Sequence, residues 1–250
     1  MAQYLADKWA NLKTSDVWVD WSWGGKVKGV TMEGGAVDNS PLLAFMKNIV
    51  AGFTKVERSF VISSTNVDTG EYHQFTDKTI TLEEMADAAV ASASIPMVFP
   101  PHVWEGKGVF MDGMTAYNTD VQATIDRCRQ ITGNDDKLIT IDIIQCSSPD
   151  NVKQMPHPSP SALTYVERAY ALHSVYVGSD VVKAVQRAHP DINWRHHIHQ
   201  TKKAEGTDEL EFGPEVTHPL IEGGKSDAKK ALDDMKMAED FANAFATFLQ

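Results

Sequence analysis

The sequence is poor in cysteine and has no long apolar run. Only two cysteines, Cys128 and Cys146, occur among 250 residues, and no Cys-x-x-Cys pair is present. This usage argues against a disulfide-rich secreted domain and is typical of a reducing compartment. No apolar run approaches the roughly 20 residues that span a bilayer, and the N-terminus MAQYLADKW has no basic and apolar signal pattern. We therefore expect no transmembrane segment, and a location in the cytoplasm or another reducing compartment.

Positive charge is also scarce. The formal net charge is −11 at pH 7, so the chain would be repelled by nucleic-acid phosphates and by anionic membrane surfaces. Glycines cluster between Gly24 and Gly35, but neither GxGxxG nor GxxxxGK(S/T) is present. We expect turns there rather than a phosphate site, and we expect neither a nucleic-acid partner nor a cofactor.

The pattern of apolar residues favours an α/β fold. The chain is 42% hydrophobic, enough for the core of one large domain. Phe60–Ser64 and Tyr72–Phe75 predict two strands around a turn at Asp68–Gly70. Leu138–Ile144 is a nearly continuous apolar run, typical of a strand buried on both faces, and a stripe from Leu163 to Ala188 predicts a long helix. These segments predict a layered sheet of mainly parallel strands with helices on both faces.

Three tryptophans lie close together near the N-terminus. Trp18, Trp21 and Trp23 fall within six positions, and in a strand Trp21 and Trp23 would share one face. They indicate either a lipid-facing or partner-facing aromatic patch or ordinary packing. We favour packing, because aromatic residues dominate protein cores.

The stretch from Val90 to Asn118 has the most informative order of residues. A helix ends in small residues, a proline-rich loop follows, and the short apolar strand Gly108–Met111 leads to Asp112 and Gly113. The small residues allow close packing of the helix, and the prolines restrict the loop. An acid at the tip of such a strand is well placed to present a carboxylate to a site.

Four short motifs in this stretch follow the pattern A-S-x-x-x-P, F-P-P, D-G and a nearby Asn. Their residues here are Ala91, Ser92 and Pro96, then Phe99, Pro100 and Pro101, then Asp112 and Gly113, and finally Asn118. In this order and spacing they resemble the patatin-like phospholipases and lipid acyl hydrolases. The hairpin residues Asn66, Asp68, Thr69 and Gly70 and the D-x-x-P-L form of Asp38–Leu42 are also similar to that family.

The resemblance implies a Ser–Asp dyad without histidine, acting on lipid acyl esters. In the family a serine on a nucleophile elbow is activated by the Asp of D-G-x, and a glycine-rich loop binds the oxyanion. Asp112 would then be the base, and Gly113, Met114 and Asn118 would form the loop of the site. No metal is implied.

The sequence departs from the family pattern at the nucleophile. No G-x-S-x-G occurs in the 250 residues, and the glycine-rich oxyanion segment is also missing. The chain therefore resembles the C-terminal two-thirds of such a domain, and we expect residues 1–250 to form one partial patatin-like domain. The serines Ser63, Ser64, Ser92 and Ser94 lack the glycine neighbours of an elbow. Met114 also stands where the family has Gly or Ala, and Asp120 where it usually has Pro.

Three functional hypotheses follow. The first is a lipid acyl hydrolase of which this chain holds the Asp half, with the serine supplied from outside it. The second is a patatin-like structural subunit that has lost catalysis. The third, and the weakest, is a metal-dependent site at the cluster His196–His199, where His197 and His199 would share a strand face.

The missing segment also has a structural consequence. In the family fold it would supply central strands, so strands such as Phe60–Ser64 or Leu138–Ile144 are expected to keep an unpaired edge. Long apolar edges are rarely left open. We therefore expect a protein partner, or self-association, to complete the sheet.

Overall fold

The computed structural model describes residues 2–146, 152, 162–201 and 210–248. The helices are α1 (Ala2–Ala10), α2 (Thr14–Val17), α3 (Gly25–Lys28, continued by a π-helical turn to Glu33), α4 (Ser40–Val50), α5 (Met85–Ser92), α6 (Val121–Thr132), α7 (Ala162–Ala188) and α8 (Pro214–Phe248). The strands are β1 (Val61–Asn66), β2 (Tyr72–Thr76), β3 (His102–Trp104), β4 (Gly108–Asp112), β5 (Thr140–Gln145) and β6 (Asn193–His199). Short 3-10 turns cover Gly113–Thr115 and Asp136–Leu138.

The first sheet has four strands in the order β2-β1-β4-β3, and every neighbouring pair is antiparallel. Phe75, Trp104 and Phe110 form its aromatic core, and they pack against Ala88 and Ala91 of α5. Ala88 and Ala91 are fully buried, so their small side chains let the helix lie close to the sheet. The sheet therefore holds the end of β4 against the end of α5.

The second sheet is a parallel pair of β5 and β6 with an irregularity between Ile141 and Asp142. Its buried side chains meet Ile125 of α6 and Val182 of α7 in a second core. This pair thus has a helical layer on its apolar face.

The predicted α/β class is confirmed, but the strand directions need correction. Parallel pairing is found for β5 with β6, whereas the four-stranded sheet is antiparallel. The reason is the short connections: β1 joins β2 through the turn before Tyr72, and β3 joins β4 through Glu105–Lys107. Strands joined by so few residues must run in opposite directions.

The turn between β1 and β2 has the predicted position. The Asn66 side-chain oxygen accepts hydrogen bonds from the backbone N–H groups of Asp68 and Thr69, each at 2.9 Å. Gly70 then takes a positive φ of 72°, which a glycine adopts without strain.

The prediction that Leu138–Ile144 is buried on both faces is wrong. Ile139, Ile141 and Ile143 are buried, whereas Leu138 is 69% and Ile144 73% exposed. Side chains alternate across a strand, and among the described residues only one face of β5 is covered by a hydrophobic layer.

An open edge is found at both expected positions. β4 pairs with β1 only at Ser64–Asn66, so in the described part of the chain Val61–Ser63 pair on one side only, with β2. In the described part of the chain β5 pairs on one side only, with β6.

Two of the three N-terminal tryptophans pack against other segments, and the third is exposed. The indole N–H groups of Trp18 and Trp21 donate to the carbonyl oxygens of Leu210 (2.7 Å) and Gly35 (3.1 Å), as the packing interpretation requires. Trp23 is 64% exposed, with the Lys28 ammonium 4.9 Å from its ring centroid. The packing interpretation is therefore right for Trp18 and Trp21 and wrong for Trp23.

Across the part of the chain that the structure describes, no helix is both long and apolar enough to cross a membrane.

Substitution of Gly35 would test how tightly the N-terminal region packs on the proline-rich loop. A Cβ there would lie 2.3 Å from the Pro100 nitrogen, so Gly35→Ala is expected to cost at least about 2 kcal/mol through overpacking. Gly223→Ala is the matched control, because nothing lies within 4 Å of its added Cβ. In the helical setting of α8 it should stabilise the protein by up to about 1 kcal/mol. Urea unfolding of both variants measures this, and equal stabilities would contradict the packing.

The open edge of β5 predicts that the chain is not a free monomer. Light scattering should give a mass above the 27.6 kDa of one chain. Ile144→Lys adds a charge at an exposed position of β5 and should shift the protein toward the monomer, because charged residues protect strand edges. Ile131→Lys, at an exposed position of α6, is the control and should leave the mass unchanged. A stable monodisperse monomer that binds no hydrophobic dye would contradict the prediction.

Candidate functional site

The end of β4 positions Asp112. Its backbone N–H donates to the Ser94 carbonyl oxygen at 2.9 Å, which joins the strand to the segment after α5. On the other side, Asp112 lies opposite Ser64 in the β1–β4 register. Gly113 follows in close contact with β1, where a Cβ would lie 2.6 Å from the Ser63 carbonyl oxygen. Glycine is therefore required at this position of the D-G pair.

The Asp112 carboxylate is half-buried and sparsely hydrogen-bonded. Its Oδ1 accepts a hydrogen bond from the Met114 backbone N–H at 2.8 Å, and no other hydrogen bond to this carboxylate is found among the described residues. Burial raises the pKa of Asp112 from its ordinary value of 3.8 to about 6, and the Met114 N–H opposes the increase only in part. A carboxylate with a pKa this close to neutrality is suited to accept a proton.

Asp112 lines a cavity of about 330 Å³. The cavity is bordered by residues of β1, β2, the end of α5, the turn after β4 and the start of α6: Val61, Ile62, Ser63, Tyr72, Ser92, Asp112, Gly113, Met114, Asn118, Asp120 and Thr124. This volume is in the range of small-molecule sites. The structure therefore brings all four predicted site residues, Asp112, Gly113, Met114 and Asn118, to one cavity.

Two of the four serines lie at this cavity, but neither bonds to Asp112. Ser63 and Ser92 line it, and the Ser63 hydroxyl donates to Asp120 Oδ2 at 3.5 Å. The Ser94 hydroxyl is fully buried and donates to the Val90 carbonyl oxygen at 2.8 Å. Ser64 is fully buried. Among the described residues no serine hydroxyl forms a dyad with Asp112.

Asn118 and Thr115 connect the site loop to α7. The Asn118 side-chain N–H donates to the Ser174 carbonyl oxygen at 3.4 Å, and a Cβ at Gly178 would lie 3.2 Å from Asn118 Cβ. Thr115 Oγ1 is 3.3 Å from the Tyr170 hydroxyl. The long helix therefore braces the loop that follows Asp112.

Sequence reasoning missed Tyr72 and Asp120 as site residues. Asp120 caps α6 by accepting from the Ala123 N–H at 3.0 Å, and its other oxygen accepts from Gln74 Nε2 at 2.8 Å. An Asp before a helix is a recognisable capping signal. Tyr72 lines the cavity because β2 pairs with β1. No local sequence pattern indicates this position.

In the described part of the chain, the histidine cluster lacks the ligands of a metal site. His197 and His199 do share a face, with ring centroids 5.6 Å apart, and His197 Nε2 lies 2.7 Å from Gln145 Oε1. Burial lowers the pKa of His197, and His199 and Lys183 contribute to the decrease. Within the described residues no group of three or more His, Cys, Asp or Glu side chains is placed to hold a metal ion, so the geometry does not favour the metal hypothesis.

Comparison with known families agrees with this geometry. Residues 2–125 match the family model described as patatin-like phospholipase. The matched region contains the four-stranded sheet, Asp112 and the whole lining of the cavity. Over this region the chain belongs to the patatin-like phospholipase family, a family of lipid acyl hydrolases. No curated protein matches the sequence.

The raised pKa of Asp112 predicts a pH-dependent stability. Between about pH 4 and 6 the folded state holds a proton that the unfolded state has lost, so the free energy of unfolding falls as the pH rises. The decrease should reach up to about 3 kcal/mol by pH 7. Asp112→Asn cannot ionise and should remove this decrease, so the variant is expected to be more stable than the wild type at neutral pH.

Urea unfolding from pH 4 to 8 measures this difference. Asp180→Asn is the control, because that carboxylate is well exposed and pairs only weakly with Lys183, at 4.0 Å. Wild type and Asp180→Asn should behave alike. Parallel pH profiles for wild type and Asp112→Asn would show that Asp112 is not destabilised by burial.

Proposed function

We propose that this chain carries the aspartate half of a Ser–Asp site that hydrolyses lipid acyl esters, with Asp112 as the general base. The observation that carries the proposal is the half-buried Asp112 carboxylate, which lines a cavity of about 330 Å³ and has a pKa raised to about 6 by burial. The family match over residues 2–125 supports the class of reaction.

The chemistry needs a serine hydroxyl brought to the cavity. Asp112 takes the hydroxyl proton as the serine oxygen attacks the ester carbonyl carbon. The tetrahedral intermediate collapses, the C–O bond to the alcohol breaks, and the alcohol leaves with the proton from Asp112. Water then attacks the acyl-serine with Asp112 again as base, which releases the fatty acid and restores the serine. A base with a pKa near 6 can perform both steps at neutral pH.

The serine is proposed to come from outside these 250 residues. The chain contains no G-x-S-x-G, and in the described part no serine hydroxyl is hydrogen-bonded to Asp112. Gly113, Met114 and Asn118 would then form the loop beside the reacting ester, braced against α7 by Asn118. Residues 1–250 are in this proposal one partial patatin-like domain, whose two free cysteines suit a reducing compartment.

The second candidate function is a catalytically inactive structural subunit. Met114 favours it, since this long side chain lines the cavity where the family has Gly or Ala. In that case the open edge of β5 would remain a protein-binding feature, and Asp112 would be a remnant of the site.

Activity measurements separate the two candidates. The 250-residue chain alone should not hydrolyse p-nitrophenyl butyrate above a buffer control, and a fluorophosphonate should leave its intact mass unchanged. The native full-length protein should hydrolyse the ester and be labelled once. Asp112→Asn in that protein should lower the rate by about 10²–10⁴-fold, whereas Asp180→Asn should not.

Two results would contradict the proposal. Full activity of Asp112→Asn would remove Asp112 from the mechanism. Robust turnover by the 250-residue chain alone, lost in Asp112→Asn, would place the nucleophile within the chain, with Ser63 and Ser92 the first positions to replace. An inactive and unlabelled full-length protein would favour the structural subunit.

A further inference from the structure

Gln145 joins the second sheet to the loop beside the candidate site. It is the last residue of β5, and its side-chain Nε2 donates a hydrogen bond to Thr119 Oγ1 at 3.0 Å. The other amide atom, Oε1, lies 2.7 Å from His197 Nε2. Thr119 stands between Asn118 and Asp120, both of which line the cavity. A series of side-chain hydrogen bonds therefore runs from β6 through β5 to the wall of the site.

The packing of β5 holds Gln145 in place. Ile141 and Ile143 are buried in the core that β5 shares with α6 and α7. Side chains alternate across a strand, so Gln145, two positions after Ile143, lies on the same face. His197, opposite Ile143 in the β5–β6 register, is on this face as well. Gln145 is thus the polar end of an otherwise apolar strand face, on a strand that the core fixes.

Two neighbouring residues of the loop connect the two sheets. Thr119 is bound to β5 through Gln145, whereas Asp120 is bound to the first sheet. Asp120 accepts hydrogen bonds from the Gln74 side chain of β2 at 2.8 Å and from the Ser63 hydroxyl of β1 at 3.5 Å. The position of the cavity wall therefore depends on both sheets, and Gln145 supplies a contact with the second.

A shift of this wall would change the environment of Asp112. Asn118 and Asp120 border the same cavity of about 330 Å³ as Asp112, and burial is the cause of the raised pKa of Asp112. An outward movement of the loop would let water reach the carboxylate and stabilise its charged form. The proton affinity of Asp112 therefore reports how firmly the loop is held.

We infer that Gln145, oriented by His197, is a positioning residue of the Asp112 cavity and holds the loop Asn118–Asp120 in place through Thr119. Where it concerns ester hydrolysis, the inference rests on the proposed function. Gln145 does not touch the reacting atoms in this scheme, but fixes the wall beside which the ester would lie. Gln145 and His197 both lie beyond the family match, which ends at residue 125, so this contribution comes from the second half of the chain.

Carboxyl ¹³C NMR of Asp112 in the 250-residue chain tests the inference. The signal is assigned with Asp112→Asn, and its titration gives the pKa of Asp112. Thr119→Val keeps the shape of the side chain but removes the hydroxyl, and Gln145→Leu removes the amide. Both substitutions should lower the pKa of Asp112 from about 6 toward its ordinary value of 3.8. Thr119→Ser keeps the hydroxyl and should titrate as the wild type does.

Thr140→Val is the matched control at the opposite end of β5. It removes a threonine hydroxyl that accepts a hydrogen bond from the Asn193 side-chain amide at 3.2 Å. The control should leave the titration of Asp112 unchanged, even where urea unfolding shows an equal loss of stability. If Thr119 had only a structural role, Thr119→Val would lose stability without a change in the pKa of Asp112.

A second measurement uses the wild type alone. The side-chain amide protons of Gln145 should show nuclear Overhauser effects to the Thr119 side chain. Absence of these effects would overturn the inference, as would equal pKa values of Asp112 in Thr119→Val, Thr119→Ser and the wild type. A pKa lowered equally in Thr140→Val would also overturn it, because the effect would then not be specific to the loop.

Hydrolysis gives an independent readout. In the native full-length protein, Thr119→Val and Gln145→Leu should lower kcat for p-nitrophenyl butyrate by up to about 10²-fold, with Thr119→Ser near the wild-type rate. An inactive full-length protein would refute the proposed function alone, because the titration of Asp112 needs neither a serine nor turnover. Activity that depends on Asp112 but not on Gln145 or Thr119 would refute the positioning role alone.

Discussion

The candidate site depends on how the backbone around Asp112 is held. The Asp112 N–H bonds to the Ser94 carbonyl oxygen, and β1 pairs alongside with Ser64 opposite Asp112. Gly113 then approaches the Ser63 backbone more closely than any side chain would allow. These contacts join the small-residue end of α5, the D-G pair and strand β1 at one point. They explain why Ser92, Asp112, Gly113 and Asn118, spread over more than 20 positions of the chain, meet at one cavity.

The same arrangement keeps an acid in an unfavourable environment. Asp112 is half-buried and, within the described residues, accepts one backbone hydrogen bond, so its charged form is destabilised relative to water. Two other acids of the chain have a basic partner. Asp136 is paired with Arg129 and Asp142 with Arg195, and each pairing lowers the pKa of the carboxyl group. A fold that pairs these two carboxylates with arginines, but in its described part gives Asp112 no basic partner, has the pattern of a functional site.

The chain beyond the family match also supports the site. The match ends at residue 125, within α6, yet α7 contacts the site loop through Ser174 and Gly178. The parallel pair β5–β6 and α6 pack on α7 in a separate core. The second half of the chain therefore braces the loop that follows Asp112, a residue of the first half.

The sequence by itself determined the local features: the Asn66 turn, the capping of α6 ahead of Val121, the small-residue end of α5 and the placement of Asp112 at a strand tip. Each depends on residues within a few positions of one another, where backbone preference and side-chain reach decide the outcome. Only the tertiary structure decided which faces are covered and which strands are neighbours. Leu138–Ile144 has an apolar pattern that suits burial on one face or two, and Tyr72 reaches the cavity only because β2 pairs with β1. Such features depend on contacts between distant segments, which hydrophobic periodicity does not specify.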